Sequence, residues 1–405
     1  MKDIPTIAVV GTFDSKGEEH LFLKERIEAR GLHALTVNVG TGRPSPFPPD
    51  IDFYTDLILK KGLMDRGRDG MIQAVISAAG EKILQLYGEG KISGIISAGG
   101  GTGTHIGTGI MRVLPMGIPK IMISTVASRD MSSVVGTRDI TMMHSVTDIM
   151  GVNSLLGEIL DRAAAAVCAM AESNWKSPHK KKRIALTMFG FITKAAEQIR
   201  KNLEDLGYEV IPFHANGTGG MAMEELAREG YFHGILDLAT HELADQLRQG
   251  YCKGIGPLRL QPINNRKVPR LVVPGGLDCA VLEFTRGNIP PEFKGRKIFF
   301  YDFRSAVRLD LNETKTMAQQ LAGKLNQDPS GVKILIPMYG WSEADKEGEP
   351  LYDPPMRDAF IEKLKKDLDP RVQVKEVGSH INDPSFAQAA SAMMNEMVKN
   401  PGESL

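Results

Sequence analysis

The feature that most constrains the fold is an order of elements that the chain states twice. Residues 5–11, "PTIAVVG", read as a strand ending in glycine. A short loop, "TFDSK", and a helical pattern, "GEEHLFLKERIEARG", follow; a second strand, "HALTVNVG", then runs into "TGRPSPFPP". Leu21, Leu23 and Ile27 are the apolar anchors of that helix, and Gly31 is its stop signal. From residue 183 the order returns as "RIALTMFG", "FIT", "KAAEQIRKNLEDLG", "YEVIPFHAN" and "GTGG". The parallel continues: "KISGIISAGGG" matches "YFHGILDLATH", and "GIPKIMISTVASRD" matches "KVPRLVVPGGLDCA". "RDITMMHSVTDIMGVN" matches "RKIFFYDFRSAVRLDLN", each leading into a helix.

Strands that alternate with helices, with glycine after each strand, predict parallel sheets covered by helices on both faces. The fold class expected is therefore α/β, with two tandem Rossmann-like doubly wound domains at residues 1–176 and 182–405. The second carries an extra strand–helix–strand piece and a final helix, "DPSFAQAASAMMNEMVKN", with Asp383 at its N-cap and Pro384 at its first position. The pattern does not say which unit that helix packs on. Between the domains lies "SNWKSPHKKKR", whose basic run reads as a solvated linker rather than a nuclear address.

A chain of 405 residues exceeds the usual span of one core, which fits the duplication. Its formal net charge of zero removes any global argument for a nucleic-acid partner. The three cysteines, Cys168, Cys252 and Cys279, are far apart, lack metal-ligand spacing and fit a reduced, cytoplasmic protein. No signal-peptide pattern precedes the first strand, and no apolar run is long enough for a bilayer, so no membrane partner is expected.

Ligands of open parallel sheets sit outside the carboxyl ends of the strands. The first unit carries a glycine-rich stretch at such an end, "SAGGGTGTHIGTG", Ser97 to Gly109, with hydroxyls and no acid. Glycine lets the backbone approach a ligand closely, and the free N–H groups of a helix start attract anions. The stretch lacks the third glycine of G-x-G-x-x-G and the lysine of the P-loop, so it matches neither fingerprint. A tight strand–helix turn accounts for the same glycines. Three further strand ends favour the phosphate cradle. "GTFDSK" offers Gly11, Thr12, Asp14, Ser15 and Lys16, "NVGTGRPS" offers Gly40, Gly42 and Arg43, and "STVASRD" offers Ser124, Thr125 and Arg129. Asp14 and Asp130 are the carboxylates that could hold magnesium; Asp14–Ser15 also reads as plain helix capping.

"GTFDSK", "SAGGGTGT", "STVAS", "DITMMHSVTDIMGVN" and "HINDPSFA", in that order, resemble the tomato mosaic virus resistance protein family over essentially the whole chain. The resemblance implies two Rossmann-like domains, ATP bound by the N-terminal one, and a homodimer. Carried over by position, the nucleotide contacts are Gly11, Thr12, Asp14, Ser15, Lys16, Gly40, Gly42, Gly99, Gly100, Gly101, Thr102, Gly103, Thr104, Ser124 and Thr125. Arg129 and Ser133 depart from the family pattern, which has glycine and proline there, and His144 stands where an aromatic is common.

The second unit has its own strand-end residues. His241 and His380 are the general acid–base candidates, because histidine titrates near neutrality unaided. Arg304 and Arg308 would share a face if helical and could clamp an anion, with Asp278 as a further contact to a second ligand. "HELAD" departs from H-E-x-x-H at Asp245, so no zinc is expected there, and Cys279 reads as a small buried residue. Two functional expectations follow. The first is an ATP-binding protein, with phosphates on the first unit and magnesium as an optional companion. The alternative is an enzyme acting on a small phosphorylated or carboxylated metabolite in a cleft between the units.

Overall fold

The computed structural model describes residues 4–61, 67–178, 180–263 and 268–400. The chain divides into two compact units, Met1–Ser177 and Pro178–Leu405.

In the first unit the elements run β1 (Thr6–Gly11), α1 (Phe13–Glu28), β2 (His33–Asn38), β3 (Ile51–Asp52), α2 (Gly67–Gly88), β4 (Gly94–Gly99), α3 (Gly101–Met111), β5 (Lys120–Ser124), α4 (Ser132–Val135), β6 (Thr141–His144) and α5 (Ser154–Glu172). The strands form one parallel sheet in the order β3-β2-β1-β4-β5-β6. Strand side chains alternate between faces, and the cores divide accordingly. Ala8 and Val10 of β1 pack with α2 and α3, while Ile7 and Val9 pack with α1 and α5. A sheet covered on both sides needs continuous apolar strands, which is why "TIAVV" and "GIIS" show no polar alternation.

In the second unit β7 (Arg183–Met188) leads through a single 3-10 turn, Gly190–Ile192, to α6 (Thr193–Asp205). Then come β8 (Glu209–His214), α7 (Thr218–Arg228), β9 (Gly234–Ala239), α8 (Glu242–Arg248), β10 (Arg270–Gly275), β11 (Cys279–Leu282), β12 (Ile298–Phe300), β13 (Ser305–Arg308), α9 (Leu311–Leu325), β14 (Val332–Pro337), α10 (Pro354–Asp367), β15 (Gln373–Val377) and α11 (Pro384–Lys399). The main sheet is again parallel, in the order β8-β7-β9-β10-β14-β15. Leu236 and Leu238 of β9 face α6 and α11; Ile235 faces α7. The final helix therefore belongs to the second unit.

One part of the duplication fails. "RKIFFYDFRSAVR" does not supply a parallel strand beside β10. It forms β12 and β13, which join β11 in a separate three-stranded antiparallel sheet. The place next to β10 goes to β14, "VKILIP", whose apolar run from Ile334 to Pro337 suits a strand covered on both faces. The N-cap of α11 also differs in detail. Asp383 sits at the cap and Pro384 follows, but the carboxylate accepts from the His380 N–H at 2.8 Å rather than from its own helix.

Candidate functional site

In the first unit the chain leaves β1 toward β2 on one side and leaves β4 toward β5 on the other. The carboxyl ends of β1 and β4 thus flank the point where strand order reverses, the usual ligand crevice of such sheets. Helix α1 departs onto one face and α3 onto the other. The two glycine-bearing loops picked out in the sequence border this crevice.

Helix α3 opens without a cap. Gly100 stands at the N-cap with extended backbone, and no side chain closes it; the first turn holds no acid. Its first internal bond runs from the Thr104 N–H to the Gly100 carbonyl at 2.8 Å. Among the described residues nothing accepts from the N–H groups of Gly101, Thr102 or Gly103, and Gly101 and Thr102 are exposed. Orphan donors at a helix start form a site of partial positive charge. The glycines divide into two kinds. A Cβ on Gly99 would lie 2.8 Å from the Gly103 Cα, so Gly99 is needed for the turn itself; a Cβ on Gly101 would meet nothing within 4 Å. Thr125 lies beside the loop, with its N–H donating to the Gly99 carbonyl at 3.3 Å.

Other residues expected to hold phosphate are engaged elsewhere. Thr104 and Ser124 are buried and bonded to each other, hydroxyl to hydroxyl, at 2.6 Å, so they brace the turn from behind. The Lys16 ammonium donates to the Ile149 carbonyl, which ties the start of α1 to the loop after β6. Ser15 turns its hydroxyl back onto Thr12. Asp14 accepts from the Gly42 N–H at 2.9 Å, and a Cβ on Gly40 would strike its carboxylate at 2.7 Å; these two glycines make room for Asp14. Asp130 caps the Ser132 N–H at 2.9 Å. A Cβ on Gly11 would overlap the His20 ring at 2.0 Å, so that glycine serves packing. Beside the start of α1 lies a cavity of about 420 Å³, lined by Asp14, Ser15, Glu18, Arg43, Pro46 and Met150 among others. Pockets for small ligands fall in the range of roughly 300–1,000 Å³.

His20 fixes the crevice from within and was not singled out in the sequence. Wholly buried, it is hydrogen-bonded to the Lys16 carbonyl through Nδ1 at 2.6 Å, and its Nε2 accepts from the Ala98 N–H at 3.3 Å. It so joins α1 to β4, and burial holds its pKa below the ordinary value. The sign follows directly. The unfolded chain takes up the proton first, so this contribution is complete above pH 6.5 and is lost as pH falls through 6.5 toward the folded value. Urea unfolding of His20→Gln should show a flatter acid limb than wild type, the difference approaching about 1.4 kcal/mol per pH unit. Parallel curves for the two proteins would contradict the assignment.

In the second unit the sequence-derived set is split up. His380 is locked: its Nε2 lies 2.9 Å from the Ser342 carbonyl and its Nδ1 accepts from the Asn382 N–H at 3.1 Å, so it organises the turn before α11 and has no free nitrogen for catalysis. Arg308 is buried in a strand, 3.0 Å from Asp345 and 3.9 Å from Asp278; both side chains form an internal ion cluster rather than a clamp for a ligand. Arg304 precedes that strand, pairs with Asp302 at 2.7 Å and lies over the Tyr251 ring. The helical spacing that would have joined the two arginines does not exist, because β13 is extended.

His241 remains. It follows β9 at the N-cap of α8, is wholly buried and stacks on Phe189 with ring centroids 3.7 Å apart. Neither ring nitrogen has a partner among the described residues. A buried unsatisfied polar group costs roughly 1–3 kcal/mol and calls for a reason. Burial, with His214 and Arg259 nearby, drives its pKa down to about 3. His241 is therefore a neutral imidazole, with two nitrogens free for a ligand. Its neighbour Glu242 faces the other way, into a buried cluster with Arg259, Arg270, Glu224 and Asp237.

Two doubly wound parallel-sheet units, the first with an uncapped glycine helix start at its switch point, define a two-domain, Rossmann-like protein. Residues 5–176 match the N-terminal domain, and residues 181–398 the C-terminal domain, of the Uncharacterised protein family (UPF0261). The chain belongs to this family. A UPF0261 protein of Clostridium tetani is 37% identical over 409 residues, covering 97% of this chain and 99% of its own length. The ToMV susceptible protein tm-1(GCR26) of tomato, Solanum lycopersicum, is 33% identical over 427 residues. That alignment covers 98% of this chain but 56% of the tomato protein, so this chain spans little more than half of that relative. Among solved structures, the S. aureus MnaA-UDP co-structure covers 66% of this chain and 79% of its own at 13% identity, with a TM-score of 0.23. Among the described residues no helix is long and apolar enough to cross a membrane.

Proposed function

We propose that the first unit binds ATP or a closely related nucleotide, with the phosphates on the amides of Gly101, Thr102 and Gly103 and the nucleoside extending toward the cavity beside α1. The observation that carries this reading is the set of unpartnered, solvent-facing N–H groups at an uncapped helix start on the switch point. Thr102 and Thr125 stand ready as hydroxyl donors beside them. Of the two acids of this unit considered for magnesium, Asp130 is engaged by the Ser132 N–H, whereas Asp14 gives one oxygen to the Gly42 N–H and its other oxygen has no partner among the described residues. The resemblance to a family with an ATP-binding N-terminal domain points the same way, and the homodimer it implies is proposed with it. A thermal-shift titration tests the reading. ATP at a hundredfold its dissociation constant should add roughly 2.7 kcal/mol of stability, seen as a higher melting temperature. No shift with ATP, ADP or inorganic triphosphate would sink it.

A second reading, an enzyme acting on a small phosphorylated or carboxylated metabolite, is favoured by one observation: the unpartnered buried imidazole of His241 at the carboxyl end of β9. In that reading His241 is the group nearest the chemistry, and His380 and Arg308 hold the scaffold.

A further inference from the structure

We propose that the second unit holds a zinc-class divalent cation on His241, Asp245 and Cys252, with a fourth coordination position left open. One donor atom from each of these residues lies within 4.8 Å of the other two, and all three side chains are buried. The proposal is independent of nucleotide binding, which lies in the other unit.

The local fold explains how residues eleven apart in sequence meet. His241 and Asp245 are four apart at the start of α8, so they share one face, and the Asp245 N–H donates to the His241 carbonyl at 3.1 Å. Helix α8 ends in a left-handed residue, Gln249 at φ 54°, which reverses the chain. Gly250 then passes so close to Asp245 that a Cβ would lie 2.8 Å from its carboxyl carbon. The reversal delivers Cys252 onto Asp245, whose Oδ2 accepts from the Cys252 N–H at 2.7 Å while its Oδ1 accepts from the Val281 N–H at 2.7 Å. The carboxylate is thereby fixed by amide donors, the outer-shell support that metal ligands normally have.

The second and independent observation is the imidazole itself. His241 has no exposed surface and, among the described residues, no partner on either nitrogen. Its ring is held flat by Phe189 on one side, while Gly276, at φ 72°, approaches so closely that a Cβ would lie 2.8 Å from the His241 Cβ. A satisfied core histidine, such as His20 or His380, spends its nitrogens on the backbone; His241 does not.

The donor set is informative. One nitrogen, one sulfur and one carboxylate oxygen suit zinc and its borderline-soft neighbours and do not suit magnesium or calcium. Three protein ligands with an open position is the arrangement of catalytic rather than structural zinc, and the open position takes water or a substrate oxygen. With bond lengths of about 2.0–2.3 Å, tetrahedral donors sit roughly 3.3–3.7 Å apart, so binding draws inward any pair that stands wider than this. Coordination converts the Cys252 thiol to thiolate and releases one proton to solvent. Among Tyr251, Phe303 and Arg304, which pack together nearby, Tyr251 and Phe303 are exposed, so the site lies beneath the surface on the side of the antiparallel sheet.

Cobalt titration of the full chain, stripped with a chelator under reducing conditions, tests this. One equivalent of Co²⁺ should give visible bands of tetrahedral intensity together with a near-ultraviolet thiolate-to-metal band, and stoichiometric Zn²⁺ should abolish both. Cys252→Ser should remove the thiolate band, and His241→Phe should weaken Co²⁺ binding at least tenfold. Cys168→Ser and Cys279→Ser should retain the band, which assigns it to Cys252 even where Cys252→Ser fails to fold. A folded wild-type chain that yields no thiolate band with Co²⁺ overturns the proposal. So does a band that disappears with Cys168 or Cys279 while Cys252→Ser keeps it.

Discussion

Arg259→Ala is expected to unfold the second unit near room temperature, or to leave it without a cooperative transition. Arg259 is almost wholly buried and touches three carboxylates, Glu242 at 2.9 Å, Asp237 at 2.6 Å and Glu224 at 3.2 Å; Arg270 bonds the last two from the far side. With Arg228 4.0 Å from Glu224, three arginines face three acids, and alanine leaves one negative charge uncompensated. Breaking a buried pair from one side costs about 3–5 kcal/mol, because the abandoned charge stays out of water. That is a large part of the roughly 5–15 kcal/mol that holds a domain. The cluster joins α7, β9, α8 and β10, so its loss is felt across the sheet. Burial already pushes the Glu242 carboxyl up, against the pull of Arg259. Without the arginine it rises further, so the variant should be least unstable in acid and should lose stability as pH rises through that raised value. Tryptophan emission reads this out. Trp341 is buried against Phe360 in this unit, whereas Trp175 is 80% exposed already. A red-shifted spectrum at pH 8 that partly recovers at pH 5 is the expected result; a native spectrum with an unchanged urea midpoint contradicts the assignment.

Arg259 also shows where the sequence stops being legible. The parallel sheets, both helical layers and the strand-end glycines follow from short-range pattern: apolar runs, turn residues and periodicity. Long-range pairing does not. Nothing near Arg259, in "GPLRLQP", announces three carboxylates drawn from α7, β9 and α8. The same holds for His241 and Cys252, where ordinary metal spacing is absent and a left-handed turn at Gln249 does the joining. The misplaced β12 has a different cause. "KIFFYDF" has the composition of a central strand, and only pairing partners distinguish a parallel place beside β10 from an antiparallel place beside β13. At the glycine loop the reverse applies. The pattern located the helix start, but hydroxyls that looked alike in sequence divide by depth: Thr102 is exposed, while Thr104 is spent on Ser124.

That division by depth gives the sharpest test of the anion position. Gly101→Asp should reduce ATP affinity on the order of a hundredfold while leaving the fold intact or slightly firmer. A Cβ here meets nothing within 4 Å and the φ is not left-handed, so the side chain enters open space. An acid in the first turn of a helix is favourable by about 0.3–1 kcal/mol, because it faces the positive end of the dipole. The same carboxylate occupies the place proposed for phosphate. At about 4 Å from a phosphate charge it opposes binding by roughly 1–4 kcal/mol, depending on how much water remains, and about 1.4 kcal/mol is tenfold in affinity. Stability and binding therefore move in opposite directions, which general damage cannot imitate. Gly101→Ala is the neutral control and should bind as wild type. Gly99→Ala is the steric one: its Cβ would sit 2.8 Å from the Gly103 Cα, so it should weaken binding by displacing the helix start and should lower the melting temperature as well. Isothermal titration with ATP, run beside thermal melts of the three variants, separates charge from shape. Unchanged affinity in Gly101→Asp would mean that these amides hold no phosphate, whatever else the crevice binds.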